Sequence, residues 1–165
     1  MKNFQSPAGL VQIKPVQVKY AAPLFQAIAT SRKNIATFLP WANDLSLKDE
    51  KDFLYQEKAK LYHGQPLVFT LIVAGQPAGM LDLHAVDENN RSAEIGYWLS
   101  VEHQNQGIVS RAVEEIKQYA FDRLALQKLI LKIDPNNQAS QRVAEKAAFE
   151  KTGLANGFVC YELNQ

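Results

Sequence analysis

Between residues 93 and 113 the chain reads Ala93-Glu94-Ile95-Gly96-Tyr97-Trp98-Leu99-Ser100-Val101-Glu102-His103-Gln104-Asn105-Gln106-Gly107-Ile108-Val109-Ser110-Arg111-Ala112-Val113. Apolar strand formers give way to a polar turn with one glycine, and the turn feeds an amphipathic helix. A strand that delivers its turn onto a helix N-terminus gathers unpaired backbone N–H groups at one place. The helix dipole favours negative charge there as well, so this arrangement suits the holding of a phosphate.

Composition narrows the rivals. Eighteen basic and 17 acidic residues leave a net charge of +1, so no long-range field advertises nucleic acid or an anionic membrane as a partner. Cys160 is the single cysteine, which excludes an internal disulfide and a thiolate metal cage, and no metal is expected. A small buried hydrophobe is the simplest role for it. The 165 residues suit one domain spanning 1–165. Met1-Lys2-Asn3-Phe4-Gln5-Ser6-Pro7 has no apolar core of the signal-peptide kind, and no apolar run approaches membrane-spanning length. A cytoplasmic protein is the expectation.

The elements that must position the turn can be read from periodicity. Leu10–Val16 alternates as a short strand that Pro15 closes or marks as an edge, and Val18–Ala29 favours a helix if Pro23 lies in its first turn. Ser46-Leu47-Lys48-Asp49 is a capping-box-like start to a second helix running to about Tyr62. Leu67–Val73, Ala78–Ala85 and Ser92–Ser100 are strands joined by Ala74-Gly75-Gln76-Pro77 and Asp87-Glu88-Asn89-Asn90, an antiparallel meander. Ile108, Val109, Ala112, Val113, Ile116, Tyr119, Ala120 and Leu124 share one helical face. The run Leu129–Ile133 reads as a central strand buried on both sides, made parallel to Ser92–Ser100 by the helical crossover. Asn137 suits the N-cap of a helix over Gln138–Ala147, and two brief strands flank Ala155-Asn156-Gly157 at the end of the chain.

With these residues in order, the chain resembles the GNAT acetyltransferase superfamily, and within it the branch that acetylates ribosomal-protein N-termini, the RimJ/RimL type. The likeness runs through nearly the whole element order and is sharpest over Ala93–Val113 and Asn137–Phe149. The superfamily loop has the pattern Gln/Arg-x-x-Gly-x-Gly/Ala; here Gln104-Asn105-Gln106-Gly107-Ile108-Val109 matches at Gln104 and Gly107 and departs at Val109. The fold so implied is α/β (α+β), a mixed, mostly antiparallel central sheet with helices on both faces and a splayed central strand pair. The implied cofactor is acetyl-CoA, leaving CoA as product. Backbone amides over Gln104, Asn105, Gln106, Gly107, Ile108, Val109 and Ser110 would hold its pyrophosphate, with the Ser110 hydroxyl assisting. Backbone near Trp98, Leu99 and Ser100 would bond the pantetheine, and the Asn137 side chain would touch it. A plain helix cap is the equally simple reading of Asn137.

The same resemblance assigns chemistry. A neutral amine attacks the thioester, so a base, an oxyanion donor and an acid are useful. Ser140 falls at the position where a serine acts as the acid, while the tyrosine used elsewhere would fall at Ala144. A backbone N–H near Leu99 could meet the oxyanion. The branch's glutamate lies between the last two strands, but here that segment is shortened to Gly153-Leu154-Ala155-Asn156-Gly157 and carries no acid. Glu94 is the substitute base, with His84, which titrates in the right range, and Asp82 as further candidates. Each has a plain alternative, as a solvated or packing strand residue. Phe38-Leu39-Pro40-Trp41 resembles the substrate-side loop, with Trp41 as one wall or an ordinary core residue. The acceptor implied is a protein or peptide N-terminal amine; the alternatives are a small-amine acetyltransferase and a non-catalytic acyl-CoA-binding module. A monomer or a homodimer is compatible with the sequence.

Overall fold

A computed structural model describes Met1–Gln165. In chain order the elements are β1 (Phe4–Ser6), β2 (Gly9–Pro15), α1 (Ala21–Ala36), α2 (Leu47–Ala59), β3 (Leu61–Tyr62), β4 (Gln65–Pro66), β5 (Val68–Val73), β6 (Gln76–Asp87), β7 (Ser92–Leu99), α3 (Ile108–Leu124), β8 (Lys128–Ile133), α4 (Gln138–Lys146), β9 (Glu150–Ala155) and β10 (Phe158–Asn164). The fold is mixed, with four α-helices and mostly antiparallel strands. Contacts divide the chain into two compact units. The first comprises Lys2–Asp82 and Tyr97–Ile108; the second comprises Met1, Leu83–Gly96 and Val109–Gln165.

In the first unit the strands run in the order β1-β2-β5-β6 and end on the last residues of β7. β5 is buried along its whole length, and its antiparallel partner β6 returns through Ala74-Gly75, whose φ values of 48° and 84° make the tight turn that strand twist prefers. The register slips between Leu71 and Ile72, which leaves Ala78 as an extra residue on β6. Beside that bulge stands Gly79, where a Cβ would collide with the Trp98 carbonyl and crowd Leu99, so only glycine allows this approach. α1 opens with Pro23 at its third residue, where a missing N–H costs nothing, and buries Ala21, Leu24, Ala27, Ile28, Ser31 and Ile35 at helical spacing. These pack with Val16, Leu54, Val68, Met80 and Trp98 into one core. Leu24, Ile28 and Leu54 are fully buried, and each contributes on the order of 2 kcal/mol by leaving water.

The second unit carries the strand order β7-β8-β10-β9. Parallel pairing aligns Ser92, Ala93 and Glu94 with Lys128, Leu129 and Ile130 and then stops, although β8 continues to Ile133. α3 turns Ile116, Ala120 and Leu124 inward, fully or almost fully buried. β10 pairs with β8 from Val159 to Asn164, and Asn156-Gly157, with φ of 51° and 84°, turns β9 back onto β10. Every residue of β9 is exposed.

Several expectations are corrected. The helix expected over Val18–Ala29 starts as a 3-10 turn at Val18–Tyr20 and, as α1, runs on to Ala36 before Pro40 interrupts the chain. α2 ends at Ala59, because Leu61–Tyr62 pairs with Gln65–Pro66 as a small hairpin. β1 adds a three-residue edge strand paired with β2. β8 is not buried on both sides: Leu129, Leu131 and Ile133 face the core, whereas Ile130 is half-buried and Lys132 is exposed. Its alternation was masked by the apolar Ile130.

Candidate active site

Glu94 is the residue at which the β7–β8 pairing ends. Its Oε1 accepts a hydrogen bond from Lys132 Nζ at 2.6 Å, and its Oε2 lies 3.6 Å from His84 Nε2. The second contact is too long for a hydrogen bond and becomes an ion pair only when His84 is protonated. The hydrogen bond with Glu94, and then its charge, hold the Lys132 ammonium above its ordinary range. Glu94 keeps 18% of its side-chain surface, against 41% for Lys132 and 52% for His84, so a small molecule can reach the group. Two of the three candidate proton-movers, Glu94 and His84, are thus brought together. Asp82 is half-buried, in register with Val68 on β5. Sequence reasoning missed Lys132. The signal was the parallel register, since Glu94 opposes Ile130 and the next side chain on that face of β8 is Lys132.

Asn137 caps α4, its Oδ1 accepting the Ser140 N–H at 3.1 Å. The plain-cap reading therefore holds for the oxygen, and the amide NH2 of Asn137 is not used by that bond. Ser140 is half-buried, and what Asn137 engages is its amide rather than its hydroxyl. α4 is fastened along its length: Gln141 donates to the Pro135 carbonyl at 2.8 Å, and the buried Tyr161 hydroxyl donates to Gln141 at 3.3 Å. Burial, reinforced by Glu145, pushes the Tyr161 phenol up, so it stays a donor. Ala144, on the inner face of α4, is fully buried.

In the first unit, Trp98, Leu99 and Ser100 are buried, and Trp41 meets Trp98 edge-on with ring centroids 6.4 Å apart. Trp41 itself is 46% exposed and so offers a face to solvent. Beyond β7 the chain is pinned. The Ser100 N–H donates to the Ala78 carbonyl at 2.8 Å, and the Ser100 hydroxyl lies 2.7 Å from His103 Nδ1. The Val101 N–H donates to Ser31 Oγ at 2.9 Å. Gln104 Nε2 donates to the Leu99 carbonyl and to Asn34 Oδ1, both at 2.9 Å. Asn105 and Gly107 then take left-handed φ values of 60° and 74°, and turns with such residues are the kind that can gather successive N–H groups around an anion. No atom lies within 4 Å of the place a Gly107 Cβ would occupy. Val109 and Ser110, both half-buried, follow Ile108 in the first turn of α3.

This geometry shows how two of the expected binding residues are held. The Gln104 N–H already makes a long bond of 3.3 Å to the Val101 carbonyl, and its side chain is committed to Leu99 and Asn34. The Gln104 N–H and side chain thus have partners within the protein. Ser100 likewise has its N–H on Ala78 and its carbonyl on the His103 N–H, and the Leu99 carbonyl already accepts Gln104 Nε2. The contacts of Ser31 and Asn34 were not legible either, because contacts 70 residues apart leave no local pattern.

An open, left-handed turn before a helix suits an anion, and a reachable carboxylate suits proton transfer. Comparison with known proteins agrees with that reading. The family model described as "Acetyltransferase (GNAT) domain" matches residues 11–150. The chain is 28% identical to YdaF of Bacillus subtilis over 147 residues, covering 88% of this chain and 80% of that protein. It is 25% identical to the ribosomal-protein-serine acetyltransferase of Escherichia coli over 150 residues, covering 90% and 79%. The solved structure of Mycobacterium smegmatis RimJ in complex with CoA-disulfide shares the fold, with a TM-score of 0.87 and 20% identity over 99% of this chain and 86% of that one. The chain belongs to the GNAT acetyltransferase family.

Proposed function

We propose that the protein transfers the acetyl group of acetyl-CoA to the α-amine of a protein or peptide N-terminus, of the ribosomal-protein type. The observation that carries the cofactor reading is the Asn105–Gly107 turn, left-handed at both ends, open above Gly107, and leading into α3. A pyrophosphate fits there because backbone N–H groups and the helix terminus both favour it. The ribosomal relatives support the acceptor class.

When bound, acetyl-CoA supplies a thioester and a thiol leaving group. The chain's part begins with backbone N–H groups of Asn105–Ser110, which bind phosphate, assisted by the Ser110 hydroxyl. Trp98 and Leu99 offer backbone bonds to the pantetheine arm, and the Asn137 amide NH2 adds another. The Leu99 N–H meets the negative charge that develops on the carbonyl oxygen. Glu94 removes a proton from the incoming amine, directly or through water, while Lys132 fixes its orientation. His84 and Asp82 are secondary candidates for that proton. The Ser140 hydroxyl gives a proton to the departing sulfur. Trp41 forms a wall for the acceptor.

At pH 7.5 roughly a third of α-amines are neutral, against about a thousandth of lysine ammonium groups. A site whose best base is already hydrogen-bonded to a lysine is therefore better matched to N-termini than to lysine side chains. Steady-state assays of Glu94→Gln should show kcat/KM for a peptide N-terminus lowered about 100-fold near pH 7, the low end of general-base effects. The defect should shrink above pH 9, where the amine is neutral unaided, and CoA affinity should persist. Wild-type rates in the variant at pH 7 would remove Glu94 from the mechanism. Turnover with polyamines but not with peptides would move the acceptor to a small amine, and CoA binding without turnover on any amine would make the protein a binding module.

A further inference from the structure

One turn of α1 touches two loops with different tasks. Ser31, 3% exposed, accepts the Val101 N–H through its hydroxyl at 2.9 Å. Asn34 accepts Gln104 Nε2 at 2.9 Å, and the same nitrogen donates to the Leu99 carbonyl. These bonds fix the chain between β7 and the Asn105–Gly107 turn. Between the two residues, Arg32 points its guanidinium at the other loop. It donates to the carbonyls of Ala42 and Asn43, the latter at 2.7 Å, and to Leu45 at 3.2 Å. Those carbonyls belong to the segment that follows Trp41 and leads to the Ser46 cap of α2. Three carbonyls on one planar cation form a rigid clamp, since the five guanidinium donors have fixed directions.

We propose that Ser31, Arg32 and Asn34 are positioning residues for the transfer reaction: Ser31 and Asn34 set CoA affinity through residues 101–104, and Arg32 sets acceptor affinity through the Trp41 segment. The proposal rests on the reading of the 105–110 turn as the pyrophosphate loop and of Trp41 as an acceptor wall. A mobile loop must be ordered before it binds, and the free energy of ordering is subtracted from affinity. None of the three residues needs to touch CoA or the amine to act in this way.

Asn34 is exposed, so its replacement leaves the core intact. Asn34→Ala and Ser31→Ala should each raise the CoA dissociation constant in calorimetric titration by about 3- to 10-fold, the equivalent of one ordinary hydrogen bond. Amide exchange over Leu99–Gln106 should quicken in both variants. Asn34→Asp keeps an acceptor for Gln104 and should restore slow exchange, whereas Lys33→Ala, on the same turn and exposed, should change nothing. Arg32→Met should leave CoA affinity unaltered and raise acceptor KM about tenfold with kcat held, as loss of uniform binding does. Trp41 and Trp98 are the only tryptophans, so in a Trp98→Phe background fluorescence anisotropy reports on Trp41 alone and should fall with Arg32→Met. Unchanged exchange and CoA affinity in the Ser31 and Asn34 variants overturn the cofactor half. Unchanged anisotropy overturns the role of Arg32, whereas a fall in anisotropy without a change in KM refutes Trp41 as the acceptor wall. If wild-type protein binds no CoA, the cofactor reading fails, and the exchange arm still decides whether α1 holds the loop.

Discussion

Glu50 shows how one residue can set a protein's response to pH without joining its chemistry. It lies on the face of α2 that also carries Leu47 and Leu54, is 3% exposed, and its Oε1 has no hydrogen-bond partner. Burial pushes its carboxyl from the usual 4.5 up to about 7. The folded protein thus holds a proton that the unfolded chain gives up, and stability falls as pH rises between about 4.3 and the folded value. Over that window the loss approaches the order of 3 kcal/mol, at 1.36 kcal/mol per unit. Glu50→Gln should therefore be about neutral at pH 4 and stabilising at pH 8 in urea unfolding. A gap between variant and wild type that stays constant with pH would show that Glu50 is solvated in the native state. Nothing local announced this residue, since a glutamate in Lys48-Asp49-Glu50-Lys51-Asp52 reads as part of a solvated face. By contrast, the Ser46–Asp49 capping box was legible because both of its bonds close within one turn.

At the scale of elements, α4 is the most testable. Asn137→Ala removes the acceptor for the Ser140 amide and should cost about 1 kcal/mol of stability in denaturant unfolding. Asn137→Ser keeps a cap and should recover most of that loss. If the Asn137 amide also meets the pantetheine, the serine variant will recover stability but not CoA affinity; recovery of both would reduce Asn137 to a cap. Caps, hairpin turns and the α3 stripe could be read from sequence because their signals span a few residues. The departures lie where distant segments decide. Lys132 meets Glu94 only through the parallel register, and Leu61–Tyr62 leaves the α2 periodicity because Gln65–Pro66 offers a partner. β1, with three residues, is too short to show any period.

For the molecule as a whole, ligand linkage gives the broadest test. A ligand at 100 times its dissociation constant stabilises the native state by about 2.7 kcal/mol. In a chain of 165 residues that corresponds to a rise in Tm on the order of 5–10 °C. Saturating CoA should produce such a rise, and its absence would remove the cofactor from this protein. Both tryptophans lie in the first unit, so their fluorescence follows that unit, while circular dichroism follows all the helices and strands. Coincident transitions by the two probes would establish that the chain unfolds cooperatively.

β9 contributes no buried side chain; its six residues meet solvent on both faces and depend on β10 for their pairing. Most sequence changes there, away from its strand pairing, sit outside the well-known causes of large destabilisation. The strand can be lengthened, recharged or exchanged while Val159, Cys160 and Tyr161 keep the hairpin's other arm in the core. This exposed outer strand is the part of the chain freest to vary. Such a strand can gather changes between generations, or be rebuilt in the laboratory, without the fold having to be re-evolved.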